Sequence, residues 1–274
     1  FISNAVNAAE LNDVLNKAYQ EASKSAEGYI SNLISGQGDT EVSILERNNE
    51  NTEFSIMVVR PLEIKDDNLL FYQGQISQYD VNKKSRQALG LGYRMLSDDG
   101  NYFSGVNTFL DVDSEENYRA GVGFELRSSS FELNGNYYNA LSGEVIVGDE
   151  KNRALNGYDI SAVGQVPYLP WADFVFTSYE WEAEQNSKNS EGEVFKGQFY
   201  LTKSLSFEAG VDDNNITLED NFFRLTYVYP PKDRTTLQDG FISDTAFENS
   251  DIRKEMLTKV KRSNKIVVEV EASG

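Results

Sequence analysis

Glu180 and Glu182 stand two positions apart, and a pair of carboxylates is the equipment of a glycosidase. Asp111-Val112-Asp113-Ser114-Glu115-Glu116 and Asp212-Asp213-Asn214-Asn215 concentrate oxygen atoms of the kind calcium takes. Neither run has the central glycine or the ligand spacing of an EF-hand loop. Nothing completes a catalytic set around the two glutamates. The chain has no His and no Cys, which removes the usual neutral-pH base, the thiol nucleophile and any cysteine metal site. Glu180 and Glu182 share one face of a strand and read as solvated lumen side chains. The chain is therefore read as a non-enzyme, with no catalytic residue, no metal site and no cofactor.

The surrounding elements explain these charges better. In 88–95 one face reads Ala, Gly, Gly, Arg and the other Leu, Leu, Tyr, Met. In 118–127 one face is Tyr, Ala, Val, Phe, Leu and the other Arg, Gly, Gly, Glu, Arg. A period of two means strands. Twelve such segments follow one another: 40–47, 53–61, 69–79, 87–96, 102–111, 118–127, 131–140, 156–166, 173–182, 194–202, 205–211 and 222–229. No helical stretch interrupts them, so the expectation is an all-β antiparallel array. Before it, 5–35 carries Leu11, Val14, Leu15, Ala18, Ala22, Ala26, Tyr29, Ile30 and Leu33 at helical spacing. That helix suits a domain surface, a membrane-proximal role or dimerisation.

With 44 acids against 25 bases the net charge is −19, a poor surface for nucleic acid. No run of 18 apolar residues exists, so no helix is expected to cross a membrane. A barrel could still do so, because its apolar residues hide at every second position. The connections favour that reading. The stretches 97–101, 128–130, 167–172 and 203–204 are tight, whereas 81–86, 112–117, 141–155, 183–193 and 212–221 are longer and polar. The connection 62–68 breaks the rule on the short side. Outer-membrane barrels pair short periplasmic turns with long external loops.

A membrane barrel turns its polar face inward, and here that face is bulky and of mixed sign. The expected pore lining is Arg94, Arg119, Glu125, Arg127, Glu132, Asn134, Asp159 and Arg224, with Gly90, Gly92, Gly121, Gly123 and Gly210 leaving room beside them. Tyr93, Tyr102, Trp171, Tyr179, Trp181, Tyr227 and Tyr229 fall near strand ends and are expected to form the interfacial aromatic girdle. The expected partners are outer-membrane lipid and lipopolysaccharide, with the barrel-assembly machinery and periplasmic chaperones for insertion. The acidic runs could share divalent cations with lipid phosphates. An even strand number puts both barrel termini on the short-turn side, with the N-terminus in the periplasm of a Gram-negative bacterium. The expected divisions are 1–38, a periplasmic helical segment; 39–230, the barrel; and 231–274, a tail.

The tail goes beyond what a simple barrel needs. Residues 232–249 read as a polar loop. Residues 251–262 read as a short helix capped by Ser250, with Ile252, Met256, Leu257 and Val260 on one side. From 264 to 272 alternation returns. The stretch 263–274, fully extended, reaches roughly 40 Å, enough to thread an apolar band about 25 Å tall. A thirteenth strand, or a strand of a following domain, remains the alternative.

Several runs, in order, carry a resemblance: Gly38-Asp39-Thr40-Glu41-Val42, Leu89-Gly90-Leu91-Gly92-Tyr93-Arg94, Tyr118-Arg119-Ala120-Gly121-Val122-Gly123-Phe124-Glu125, Arg153-Ala154-Leu155-Asn156-Gly157-Tyr158-Asp159, and Val260-Lys261-Arg262-Ser263-Asn264-Lys265-Ile266. Together the chain resembles the β-domain of intimin and invasin, the inverse autotransporters of type V secretion. The resemblance implies a twelve-stranded barrel, a helix at the pore base and a linker through the lumen, here carrying Asn264, Ile266 and Val268. It implies export and surface display of a C-terminal passenger, the chain's own partner and commonly an adhesin. The rival readings are a porin-like channel without an exported passenger and a soluble barrel that binds a small ligand.

Overall fold

Period-two alternation yields strands through the whole middle of the chain in the computed structural model, which describes residues 36–48, 50–79, 84–185, 188–216 and 218–272. The helix expected over 5–35 lies outside the described residues. The strands are β1 (Thr40–Arg47), β2 (Glu53–Lys65), β3 (Asn68–Gln78), β4 (Ser85–Leu96), β5 (Tyr102–Asp113), β6 (Tyr118–Ser128), β7 (Phe131–Ala140), β8 (Val145–Val147), β9 (Glu150–Ala154), β10 (Gly157–Val166), β11 (Leu169–Trp181), β12 (Ser190–Tyr200), β13 (Leu205–Asn214), β14 (Leu218–Tyr229) and β15 (Val268–Ala272). Twelve of them, all but β8, β9 and β15, close into an antiparallel barrel. The seam is β1 on β14, running from Thr40 opposite Tyr229 to Arg47 opposite Phe222.

The apolar face points outward. Leu89, Leu110, Val122 and Ile160 are each more than half exposed, a placement that makes sense for side chains meeting lipid rather than water. Their polar neighbours point in: Arg94 and Arg119 are fully buried and Glu125 is 2% exposed. The glycines of that face do not leave open space. A Cβ at Gly92 would lie 2.3 Å from the Phe71 ring, and one at Gly90 would lie 2.4 Å from Phe109. At these two positions the missing side chain makes room for an inward ring, while Gly123 makes room for Asn107 and Asn136.

One rim is tighter than the sequence suggests. β2 runs on to Lys65 through a register shift between Pro61 and Glu63, where proline has no N–H to give the ladder. The turn is then only Asp66-Asp67, so the expected exception at 62–68 disappears. Two-residue turns also join β6 to β7 and β10 to β11. On the opposite rim, β13 and β14 extend past their expected ends and shorten the 212–221 loop to 215–217. The 141–155 loop is not irregular: it folds into the β8–β9 hairpin, and β15 adds to it in the order β15-β9-β8. Strands of three and five residues leave too short a run for a period to show.

The expected helix over 251–262 is a single 3₁₀ turn, Ile252–Glu255, and its N-cap is Asp251 rather than Ser250, with the Asp251 carboxylate accepting from Arg253 N. The reason lies in the barrel wall. A helix would pass the Val260 N–H to the Met256 carbonyl. Instead Val260 N donates to Gln73 Oε1 at 2.8 Å, and the Met256 carbonyl accepts from Arg94. Wall groups replace the helical ladder, and the chain runs on without regular structure to β15.

Candidate functional site: an occupied lumen

The tail first follows the short-turn rim. Lys232 N donates to Lys203 O, Leu237 N to Tyr200 O, and Ser243 N to Tyr168 O. Ser129 Oγ then reaches Asn249 Oδ1, and Arg253 reaches Asp66 O and Asp67. The chain thus touches the turns around the mouth before it enters.

At the entrance Ile252, Met256 and Val260 bury themselves among Val59, Leu69, Phe71, Leu96, Phe103 and Phe109, with Leu257 at the edge. This apolar plug fills the lumen beside the 3₁₀ turn. Above it lies Arg94. Its Nε and Nη2 each donate at 2.8 Å to the two oxygens of Glu125, and Nη1 donates to the carbonyls of Met256 and Thr258 at 2.5 and 2.7 Å. The guanidinium sits 4.4 Å from the Phe71 ring centroid. Arg127 donates to Thr258 Oγ1 and to Glu255 Oε2, both at 2.8 Å. Lys259 pairs with Glu41 and Lys261 with Glu132, each at 2.6 Å.

A second arginine works the upper half. Arg119 and Asp111 are register partners on β6 and β5. Arg119 Nε donates to Asp111 Oδ2 at 2.9 Å, while Nη1 and Nη2 donate to the carbonyls of Lys265 and Ser263, both at 2.8 Å. Arg262 from the tail shares Asp111 from the other side. Asn136 donates to the Lys261 carbonyl at 3.1 Å. Tyr138 Oη accepts from Ser263 N at 2.8 Å and donates to Asp159 at 2.6 Å. At the exit Leu155 N donates to Val267 O, and β15 pairs with β9 from Val268 opposite Ala154 to Ala272 opposite Glu150. Lys265 reaches Glu50 in the β1–β2 loop.

The wall therefore grips the tail largely by its main chain. The carbonyls of Met256, Thr258, Lys261, Ser263 and Lys265 and the N–H groups of Val260 and Ser263 all bond to barrel side chains. Charged donors on backbone acceptors are strong contacts, and they do not depend on the side chains of the residues they hold.

Of the expected lining residues, Arg94, Arg119 and Arg127 bond the tail directly, and Glu132 pairs with Lys261. Asp159 accepts from Ser263 N at 3.2 Å. Glu125 orients Arg94, and Asn134 donates to Glu132 at 2.9 Å. Arg224 stands opposite Glu208 in register, with no hydrogen bond to the tail among the described residues. In the linker, Asn264 lends its carbonyl to Arg86 at 3.4 Å, Ile266 is buried, and Val268 opens β15. Four girdle residues, Tyr93, Tyr102, Tyr227 and Tyr229, are exposed on the outer face.

Three girdle expectations need correction. Tyr179 and Trp181 point inward: Tyr179 Oη donates to Asp212 at 2.7 Å, and Trp181 packs on Tyr138 and Leu155. The outward positions there are Tyr158 and Glu180, bonded to each other at 2.9 Å. So Glu180 faces outward, not into the lumen. The strand is polar outside at this end, and the apolar-out rule no longer assigns its faces. Trp171 is only 8% exposed because Phe241 of the tail lies over it, with ring centroids 5.3 Å apart.

Reading by residue type missed Tyr138, Asp111, Gln73 and Arg262. Asp111 was findable, since it falls opposite Arg119 once the hairpin register is drawn. Tyr138 was findable too, since it stands four positions after Asn134 on the same inward face of its strand.

The family model described as the inverse autotransporter β-domain matches residues 3–263. No curated protein sequence matches. Among solved structures, a membrane protein from work on the mechanism of in-meso crystallization superposes with TM-score 0.69 at 20% identity, covering 85% of this chain and 99% of its own. The COG4313 outer membrane channel from Pseudomonas putida F1 superposes with TM-score 0.51 at 7% identity, covering 71% and 97%. At these identities the likeness is one of fold. With twelve strands closed in register, an apolar exterior and a family model covering nearly its whole length, this chain belongs to the inverse autotransporter β-domain family, a barrel of the Gram-negative outer membrane.

Proposed function

We propose that this barrel exports and displays the polypeptide that continues from its C-terminal tail, an adhesin being the expected cargo, and that the tail seen in the lumen is the end state of that export. The observation that carries the reading is the main-chain grip. A tunnel that must pass many residues benefits from arginines that bind carbonyls, which every residue supplies. An open porin-like channel has no use for a lumen occupied by its own tail. In this reading the short-turn rim and the N-terminus are on the periplasmic side, and the loop rim faces outward. The β8–β9 hairpin then receives the emerging strand on the outer side.

The test is an epitope placed after Gly274 in the full chain, probed with antibody and protease on intact cells. Surface access is the expected result. A protected epitope, with the barrel assembled in the outer membrane, would overturn the reading.

A further inference from the structure

The stretch 237–247 places large apolar side chains at the short-turn rim with nothing of the described chain over them. Phe241 is 64% exposed, Ile242 73% and Phe247 52%. The stretch is not loose. Tyr168, at φ +66 in its two-residue turn, donates its N–H to Ala246 O at 2.8 Å and accepts from Ser243 N at 2.9 Å. Trp171 Nε1 donates to the Phe241 carbonyl at 2.9 Å.

These contacts put Phe241 on the outer wall. The Trp171 ring lies 6.2 Å from Phe199, Phe199 lies 6.4 Å from Phe207, and Phe207 lies 6.3 Å from Phe223. Phe199 and Phe207 are register partners, so they share a side, and Phe223 is 43% exposed on the apolar exterior. Phe241 therefore caps one end of an outward aromatic row that runs across four strands. Its apolar surface continues the surface that already faces lipid.

We infer that the 237–247 stretch is an interfacial lipid anchor, seating Phe241, Ile242 and Phe247 at the headgroup boundary of the leaflet on the short-turn side. Aromatic and aliphatic side chains held at a rim are suited to that depth. Of the polar neighbours, Asp244 is exposed, Asp239 accepts from Thr236, and Glu248 accepts from Thr235 while its N–H donates to Gln165. The inference does not depend on export, because it concerns only the outer wall and its rim.

The chain has no cysteine, so single thiols can be placed cleanly in the full chain. Ile242→Cys and Phe247→Cys would carry a nitroxide in phosphatidylcholine vesicles, alongside Leu89→Cys on the apolar exterior and Asp98→Cys in another turn of the same rim. The readout is collision with oxygen against a water-soluble nickel chelate. The oxygen preference at 242 and 247 should exceed that at 98 severalfold and approach that at 89. A preference equal to that at 98 overturns the anchor. Shielding from both reagents also overturns it, because it would mean that protein rather than lipid covers the patch.

Discussion

Replacing Arg94 and Glu125 together, as Arg94→Met with Glu125→Leu, isolates what the wall contributes to holding the tail. Removing Arg94 alone would strand a buried carboxylate and cost about 3–5 kcal/mol, an effect on the barrel rather than on the tail. Exchanging the pair for apolar side chains avoids that penalty, since such swaps are often close to neutral. What remains lost is the pair of charged bonds from Nη1 to the Met256 and Thr258 carbonyls. At about 1.5 kcal/mol each, the low end for charged donors, the grip weakens by about 3 kcal/mol, or roughly a hundredfold in the equilibrium between seated and released tail. The assay is single-channel recording in a planar bilayer, where release opens the lumen. Open events should rise about a hundredfold, while Arg224→Gln, a lumen change with no hydrogen bond to the tail, should leave them as they were. The reasoning fails if the double variant opens no more often than the parent, or if Arg224→Gln opens just as often.

Three further outcomes follow from the same contacts. Tyr138→Phe keeps the ring but removes the hydroxyl that takes Ser263 N, so that amide should exchange with solvent about tenfold faster or more, from a loss of about 1–2 kcal/mol, as read by hydrogen exchange. Gly92→Val drives a side chain into Phe71 at the pore-base cluster and should destabilise the barrel by about 1–3 kcal/mol, read as a lower midpoint in heat-modified gel mobility. Glu144, in the β7–β10 loop, is held below the usual carboxylate range by hydrogen bonds from Lys151 and Arg153. A lowered value means the contact is present above the unfolded carboxylate's range and is lost as pH falls through the folded one. Glu144 should titrate below an ordinary glutamate by NMR, and Lys151→Gln with Arg153→Gln should return it to normal.

What could be read in advance was whatever repeats. The alternation around Arg94 and Arg119 marks strands and picks out the face that turned inward, because a period of two admits one such division. The pore-base helix shows the opposite case. Ile252, Met256 and Val260 recur at helical spacing and are buried on one side, yet Gln73 and Arg94 take the bonds a helix would have used. A local pattern cannot show that a donor more than 150 residues away in sequence will compete for the same carbonyl. Trp181 and Tyr179 were misassigned for a related reason: the rule that aromatics face lipid holds only at the depth of the membrane, and a strand gives no sign of where that depth ends. The β8–β9 hairpin was invisible because Val145–Val147 is too short to alternate.

The clasp at the exit has a mechanical side. β9 leads at its Ala154 end straight into barrel strand β10, whereas β15 leads away from the barrel at its Ala272 end, which pairs with Glu150. A pull applied at the Ala272 end of β15 runs along the strand axis, and β9 is fixed at the opposite end of the ladder. The rungs between β15 and β9 are then loaded together in shear instead of peeling one after another. Under the proposed function, tension on a displayed polypeptide would be borne first by this small sheet, before it reaches the arginines in the lumen.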